Sequence, residues 1–255
     1  MKPWYQLRKE TVIGLGGLVL VWQFASYFFP VYLFPPVPAI AGKFLDIFLD
    51  QESLANAGAT AGRIFAGLAA AFLLGVVLAF VMGRSERSYR YVYPLLNFIQ
   101  GVPALSWVVI AIIWFKGTET RILFIMTATT LPAFSFQILD AYRSMSKDLF
   151  EMTLSFRPSR RDLFRTLILP TIIPGMLTAW KVNLGNASRV VVVAELVGAT
   201  GGIGYQLLMQ QQLFDMAGAL AWTLVLVAFV LVVQQVIARL EGWLLAYRPS
   251  TERSA

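Results

Sequence analysis

The feature that most constrains this chain is a series of six apolar segments, each about as long as a lipid bilayer is thick. They cover residues 11–29, 64–83, 94–115, 122–139, 171–194 and 218–238. The hydrocarbon core of a bilayer takes about 20 residues of helix, and a helix satisfies its own backbone hydrogen bonds in lipid. Only 14% of the residues are charged, against about 25% in soluble domains. We expect an all-α, polytopic membrane protein with six transmembrane helices, forming a single domain over residues 1–255.

Lysines and arginines are distributed unevenly between the loops of this predicted topology. If the N-terminus is cytoplasmic, fifteen of the 21 Lys and Arg lie on the cytoplasmic side, four lie on the other side and two lie inside the fifth segment. Cytoplasmic loops are enriched in these residues, so we expect both termini inside. The net charge of +7 then reflects topology and does not predict a nucleic-acid partner. A signal peptide also has a basic start, but no small-residue cleavage site follows the first segment.

Residues 31–62 are predicted to lie on the outer side, away from the cytoplasm. The segment opens with a proline-rich run at 33–38 and continues as an amphipathic helix over 39–49. That helix is too short to span a bilayer, so we expect it to lie in the membrane interface.

Two residue types that carry much enzyme chemistry are absent, because the chain has no His and no Cys. Histidine is the commonest general base and metal ligand, and the predicted spans hold no clustered carboxylates. The sequence therefore predicts no catalytic residue, metal site or cofactor. It argues against one alternative, an intramembrane lipid-modifying enzyme. A second alternative, a secondary transporter, would show repeated halves with interrupted helices at matching positions, and no such repeat is visible.

Residues 143–170 are basic and helical in pattern, in contrast to the apolar segments around them. Pro158 disfavours a helical conformation at Arg157, so a first helix is expected to end there. Ser159 and Asp162 have the spacing of a capping box that begins a second helix. Apolar residues share one face of this second helix, namely Leu163, Phe164, Leu167 and Ile168. We predict a cytoplasmic hairpin with a docking surface.

This hairpin resembles the signature of bacterial ABC importer permeases, the inner-membrane components of binding-protein-dependent transport. That signature reads Glu-Ala-Ala, three residues, Gly, nine residues, Ile-x-Leu-Pro. Glu151, Leu169 and Pro170 match it with the full spacing kept, and the departures are Met152, Thr153, Arg157 and Leu167. An L-residue costs about 1–2 kcal/mol in the left-handed conformation that glycine adopts readily, so we expect a different turn at Arg157.

The resemblance implies the fold of type I ABC importer permeases and a hairpin that couples to an ATPase. The implied coupling residues are Glu151, Arg157, Ser159, Arg160, Arg161, Leu169 and Pro170. The implied partners are a dimer of ABC ATPase subunits, which binds the ATP, a periplasmic or lipid-anchored solute-binding protein, and a second permease copy. The implied location is the bacterial inner membrane, in contact with membrane lipid.

Two further segments resemble the nitrate, sulfonate and taurine importers within that family. One is the proline-rich run, and the other is the stretch from Glu195 to Gly204, which contains four glycines. Without a following Lys-Ser/Thr this stretch is not a phosphate loop, and we expect a tight turn at the outer face. The subgroup also includes importers of pyrimidine vitamin precursors and aromatic acids. We expect a small, anionic solute, because the positive charge of Arg189 in the fifth segment would favour an anion, which suits the sulfonate, nitrate and carboxylate importers that the chain resembles.

Two cations, Lys181 and Arg189, lie inside the fifth apolar segment. A cation in mid-membrane costs at least about 2.5–3.5 kcal/mol, so it is expected to face a watery cavity or a partner. Eight residues on a helix correspond to about 80°, so both side chains can face one cavity. With Asn183, Asn186 and Glu195 they form our candidate substrate pathway. The alternatives are that Arg189 pairs with Glu195 or backbone carbonyls and that Lys181 extends toward the inner face.

Overall fold

The computed structural model describes residues 9–244, and the regular elements within that range are all helices, as predicted. The orientation prediction partly depends on residues outside the described range, namely Lys2, Arg8, Arg248 and Arg253. In chain order the helices are α1 (Lys9–Ser26), α2 (Val37–Leu49), α3 (Gln51–Arg84), α4 (Glu86–Gly101), α5 (Ala104–Trp114), α6 (Thr118–Arg143), α7 (Lys147–Ser155), α8 (Arg160–Leu163), α9 (Leu169–Gly198), α10 (Ile203–Gln212) and α11 (Met216–Leu244). A π-helical turn, Phe164–Ile168, joins α8 to α9.

Four helices of the described part are long and apolar enough to cross a membrane. They are α3, α6, α11 and the continuous helix that runs from Arg160 through the π turn to Gly198. Together, α4 and α5 form a fifth candidate, bent by 95°. The first predicted span corresponds to α1, which has 18 residues and is not among these candidates. The count of six spans therefore stays a prediction.

The second predicted span begins earlier than the sequence pattern indicated. Its helix, α3, starts at Gln51 because the Asp50 side chain caps it, with Oδ2 accepting a hydrogen bond of 2.7 Å from the Ser53 N–H. The amphipathic helix over 39–49 is confirmed as α2. The rest of the predicted outer segment, after residue 50, is the first part of α3.

Pro103 and Pro132 lie inside the third and fourth apolar segments, where the sequence predicts that each proline interrupts a span, but the two prolines have different effects. At Pro103 the prediction is confirmed, because α4 ends at Gly101 and α5 begins at Ala104. At Pro132 it is wrong, because this buried residue lies inside α6, which continues to Arg143. A proline removes one helical hydrogen bond. In α6 the packing of α3 and α9 on its flanks holds the helix together across that gap.

The core of the protein lies where α3, α6 and α9 pack together. An added Cβ at Gly67 would lie 2.5 Å from the Met126 Cβ, and one at Gly75 would lie 2.9 Å from the Phe134 Cβ. Both glycines therefore allow α3 and α6 to approach closely. On the other side of α6, Gly175 of α9 packs directly against Ala141. The contact at Gly175 holds α9 against α6 and thereby sets the face that α9 presents to its surroundings.

Candidate solute pathway and coupling surface

Two open clefts flank an exposed strip of α9 formed by Val182, Asn186 and Arg189. One, the α9–α11 cleft, has a volume of about 650 Å³ and is lined by Lys181, Val182, Gly185, Asn186, Arg189, Leu231, Gln234, Gln235 and Ala238. The other, the broken-helix cleft, has a volume of about 510 Å³ and lies between the α4–α5 break, α6 and α9. Asn186 and Val182 line both clefts. A polar side chain of α9 thus stands between two cavities.

The Arg189 guanidinium has no hydrogen bond or ion pair with the described residues. Gly175 marks the level at which α9 packs near the end of α6, and Gly198 packs against Arg121 near its beginning. Helical rise places Arg189 about 21 Å from the first level and about 14 Å from the second. A cation without a partner among the described residues thus lies at mid-height of the helix bundle, on the exposed strip of α9 that lines the α9–α11 cleft.

Lys181 lines the same cleft as Arg189, as predicted, but its ammonium group is paired. Nζ forms an ion pair and hydrogen bond with Oε2 of Glu241 on α11. Both side chains are partly buried. No sequence pattern distinguishes Glu241, which lies 60 residues further along the chain. Of the two predicted cations, Arg189 is the one without a carboxylate partner within residues 9–244.

The two asparagines of the candidate pathway have different surroundings. Asn186 is exposed, whereas Asn183 is buried and its Nδ2 donates hydrogen bonds to Gln137 Oε1 at 3.0 Å and to the Ala179 carbonyl at 2.9 Å. Both residues border the broken-helix cleft, together with Gln137 and Gln100. Asn183 is therefore held in the packed core, and Asn186 is the exposed amide that borders both clefts.

Glu195 does not pair with Arg189, so that alternative is wrong. The two residues are six positions apart on α9, which places them about 120° apart around the helix. The fully buried Glu195 carboxylate accepts hydrogen bonds from Arg63 Nη1 at 2.7 Å, from the Thr60 hydroxyl at 2.9 Å and from the Gly204 N–H at 2.8 Å. It lines neither cleft. Because of its position on α9, Glu195 does not share a surface with Arg189, which corrects its assignment to the candidate pathway.

The same network fixes the turn between α9 and α10. Arg63 Nη1 also donates to the Gly201 carbonyl at 2.7 Å, and its other nitrogens bind Glu119. Asn56 Oδ1 accepts a hydrogen bond of 2.7 Å from the Gly202 N–H. Gly202 has a φ of 115°, and a Cβ there would lie 2.5 Å from Glu195 Oε1. The predicted tight turn is thus confirmed, and only glycine fits at this position.

The predicted hairpin contains two capped helices joined by a left-handed turn. Ser159 Oγ accepts the Asp162 N–H at 3.2 Å and donates to Asp162 Oδ2 at 2.6 Å, which confirms the predicted cap. Arg157 has a φ of 47°, so the expectation of a different turn is wrong. Its N–H closes the end of α7 on the Leu154 carbonyl at 2.9 Å. This is the C′ position of a Schellman-type ending, where the left-handed conformation is usual.

The second helix of the hairpin does not end at Pro170. Instead α8 continues through the π turn into α9, with the Leu169 N–H bonded to the Phe164 carbonyl. Because a proline has no N–H and its ring crowds the carbonyl four residues before it, a locally widened turn accommodates Pro170 inside one helix. Leu169 and Pro170 therefore belong to the long helix that contains the candidate pathway.

The surface formed by α7 and α8 is exposed and mixed in character. No residue of α7 is buried, and Phe156, at the tip, is 80% exposed. Five of the predicted coupling residues lie together here, namely Glu151, Arg157, Ser159, Arg160 and Arg161. Apolar and cationic side chains side by side, without cover from the described chain, are typical of a protein interaction surface.

Long apolar helices, polar clefts in mid-bundle and an exposed basic hairpin together define a helical transport subunit of a membrane. Within residues 9–244, no group of three or more His, Cys, Asp or Glu side chains is placed to hold a metal ion. The chain belongs to the family of binding-protein-dependent transport system inner membrane components, whose model matches residues 71–245. It is therefore a permease component of an ABC importer for small solutes, in the inner membrane.

Similar proteins include permeases with different named solutes. The chain is 28% identical to the formylaminopyrimidine transport permease protein ThiX of Halalkalibacterium halodurans, over 97% of this chain and 99% of that protein. It is also 28% identical to the taurine transport system permease protein TauC of Escherichia coli, over 79% and 77%. A structure of the inward-facing MetNI methionine ABC transporter matches with a TM-score of 0.60 and 17% identity, covering 82% of this chain and 95% of that one. This match confirms the type I importer permease fold.

Proposed function

We propose that this chain is the permease of an ATP-driven importer that carries a small anionic solute into the cytoplasm. The observation that carries the proposal is Arg189, a cation without a partner in the described part of the chain, which lies at mid-height of the bundle on the wall of an open polar cleft. A guanidinium without a carboxylate partner is costly at this depth, which favours a role in binding over a role in packing. Relatives named for taurine, aliphatic sulfonates and nitrate support an anion.

The groups around Arg189 suit a solute that must also be released. Asn186 on the same strip and Gln234 and Gln235 across the cleft offer neutral donors and acceptors. Conduction requires binding that is favourable enough for entry and weak enough for exit. One unpaired guanidinium with neutral amides around it meets both needs, because its fork can bind two oxygens of a sulfonate, nitrate or carboxylate.

The formylaminopyrimidine relative aligns over nearly the whole chain and supports a second candidate, an uncharged pyrimidine-like solute. Such a solute would use the amides of the α9–α11 cleft and would depend little on the charge of Arg189. The two candidates therefore differ in how uptake responds to the substitution Arg189→Gln.

The exposed α7–α8 surface is our proposed contact with an ATPase subunit. In the proposed assembly two permease copies bind two ATPase subunits on the cytoplasmic side, where both termini also lie, and a solute-binding protein docks on the outer side. Glu151, Arg157, Arg160 and Arg161 supply charge at the contact, and Phe156 supplies apolar area. This arrangement needs no cofactor in the permease itself.

Uptake into vesicles that contain the permease, its ATPase and its binding protein tests the proposed pathway. Arg189→Gln is expected to lose most uptake of ethanesulfonate or nitrate, and Arg189→Lys to keep part of it. Arg90→Gln, at an exposed position on α4, is the matched control and should transport normally. Unchanged anion uptake in Arg189→Gln removes this residue from the pathway. Loss of pyrimidine uptake to the same degree as anion uptake would contradict a charge-based role.

The proposed coupling surface has its own test. Glu151→Ala and Arg161→Glu are expected to separate ATP hydrolysis from uptake while membrane insertion stays normal. The amount of ATPase that co-purifies with a tagged permease measures the contact directly. Wild-type uptake together with wild-type ATPase recovery in both variants would refute it.

A further inference from the structure

The α9–α11 cleft carries less positive charge than its two cations indicate, because Glu241 cancels one of them. Lys181 Nζ is paired with the Glu241 carboxylate, whereas Arg189 has no partner among residues 9–244. The pair is partly buried, with side-chain exposures of 28% and 20%. It is therefore less screened by water than a surface pair. The three side chains together leave one net positive charge at the cleft.

The position of the Lys181–Glu241 pair along α9 determines the order in which a moving solute meets the free and the neutralised cation. Lys181 lies about 9 Å from the level of Gly175, at the hairpin side of the bundle, and Arg189 lies about 12 Å further on. A solute that travels from the Gly198 end toward the hairpin side therefore meets Arg189 first. It then passes Lys181, whose charge is already satisfied. A free ammonium group there would hold an anion a second time before release.

We propose that Glu241 is a specificity residue that sets the cleft to bind one negative charge weakly and to release it on the hairpin side. This inference rests on the proposed role of Arg189 and extends it to the solute's charge: the cleft takes small monoanions of the sulfonate, nitrate or carboxylate type. Glu241 acts through Lys181 and does not touch the solute.

The magnitude of the effect follows from the separation. A unit charge about 12 Å away, at an effective dielectric constant of about 20, changes a binding constant about tenfold. Glu241→Gln, which leaves Lys181 charged and unpaired, should tighten monoanion binding by about that factor. Lys181→Met, which leaves the carboxylate unpaired, should weaken it about tenfold. The double variant should return toward wild type, because both charges are removed together.

The test uses the full-length permease in nanodiscs of phosphatidylcholine, with methanesulfonate as the probe. Saturable binding is measured as the rise of the unfolding temperature with probe concentration at constant ionic strength, since a ligand of the folded state stabilises it. Dimethyl sulfone, which is uncharged and nearly the same shape, is the control ligand. Glu86→Gln, which removes an exposed carboxylate on α4, is the control variant. Dimethyl sulfone is expected to leave the unfolding temperature of every variant unchanged. Glu86→Gln is expected to bind methanesulfonate with the affinity of the wild type.

The inference is supported if the affinity for methanesulfonate rises in Glu241→Gln, falls in Lys181→Met and returns toward wild type in the double variant. The same affinity in wild type, Glu241→Gln and Lys181→Met would overturn it. If Arg189→Gln abolishes binding in that case, the proposed pathway survives and only the role of Glu241 fails. Absence of saturable binding in both wild type and Glu241→Gln would overturn the pathway and the inference together.

A lipid head group offers the same anionic chemistry as a soluble solute, and a further arm separates the two. Phosphatidylglycerol is added to the nanodiscs and methanesulfonate binding is measured again. Unchanged affinity supports a soluble anion, as expected for a site in mid-bundle. Competitive loss of binding would assign the cleft to lipid and overturn the inference.

Discussion

The ion pair between Arg63 and Glu195 is predicted to be the most stabilising polar contact at the Gly198 end of the bundle. Its side-chain exposures are 11% and 0%, so neither charge has much access to water. Arg63→Ala would leave a buried carboxylate with only Thr60 and the Gly204 N–H as donors. Removing one partner of a buried pair costs about 3–5 kcal/mol. For a chain of this size that corresponds to a fall of about 10 °C in the unfolding temperature.

The matched control is Arg90→Ala, which removes an arginine of the same kind from an exposed pair. Arg90 and Glu86 are 76% and 68% exposed, and such pairs contribute about 0–1 kcal/mol. Thermal unfolding of both variants in nanodiscs gives the comparison. Arg63→Met combined with Glu195→Gln should recover part of the loss, because removing both buried charges can be nearly neutral. Equal unfolding temperatures for Arg63→Ala and Arg90→Ala would refute this reasoning.

Three further predictions concern packing, the hairpin turn and pH. Gly67→Ala should destabilise the bundle by about 1–3 kcal/mol through overpacking against α6, whereas Gly62→Ala, with open space around it, should not; unfolding temperatures decide. Arg157→Val should increase proteolysis of the hairpin, because a β-branched residue is strained at a φ of 47°, whereas Arg157→Gly should leave proteolysis unchanged or lower. Partial burial raises the pKa of Asp215, but hydrogen bonds from Lys43 and the Gly218 N–H outweigh it, so the net pKa is lowered. A lowered pKa stabilises the fold above the unfolded value of about 4, so the loss of stability in Asp215→Asn should be present at pH 7 and shrink below pH 4.

Features that depend on neighbouring residues could be predicted from the sequence. The cap at Ser159 needs only a serine and the residue three places later. The break at Pro103 follows from a missing N–H, and α2 follows from amphipathic spacing after a proline-rich run. The pathway prediction relied on the same kind of local argument, since Lys181, Asn186 and Arg189 lie within a few turns of one helix.

Features that depend on distant partners could not be predicted. Glu195 is separated from Arg63 by 132 residues, and nothing in the sequence distinguishes that arginine from the other cations. The pairing of Lys181 with Glu241 is hidden in the same way. The prediction of a different turn at Arg157 was wrong for another reason. The intrinsic cost of a left-handed residue is real, but the hydrogen bonds that close α7 outweigh it. The predicted interruption at Pro132 was wrong because packing on both sides of α6 compensates for one lost helical hydrogen bond.

Because the helix from Arg160 to Gly198 is continuous, a rotation about the contact between Gly175 and Ala141 would move its two ends in opposite directions. The arm toward the α7–α8 surface is about 22 Å long, and the arm toward the glycine turn is about 35 Å long. A tilt of about 10° around that contact would move the short end by about 4 Å and the long end by about 6 Å in the opposite direction. A push on the exposed hairpin would thus reach the far side of the bundle enlarged by about half and reversed in sense.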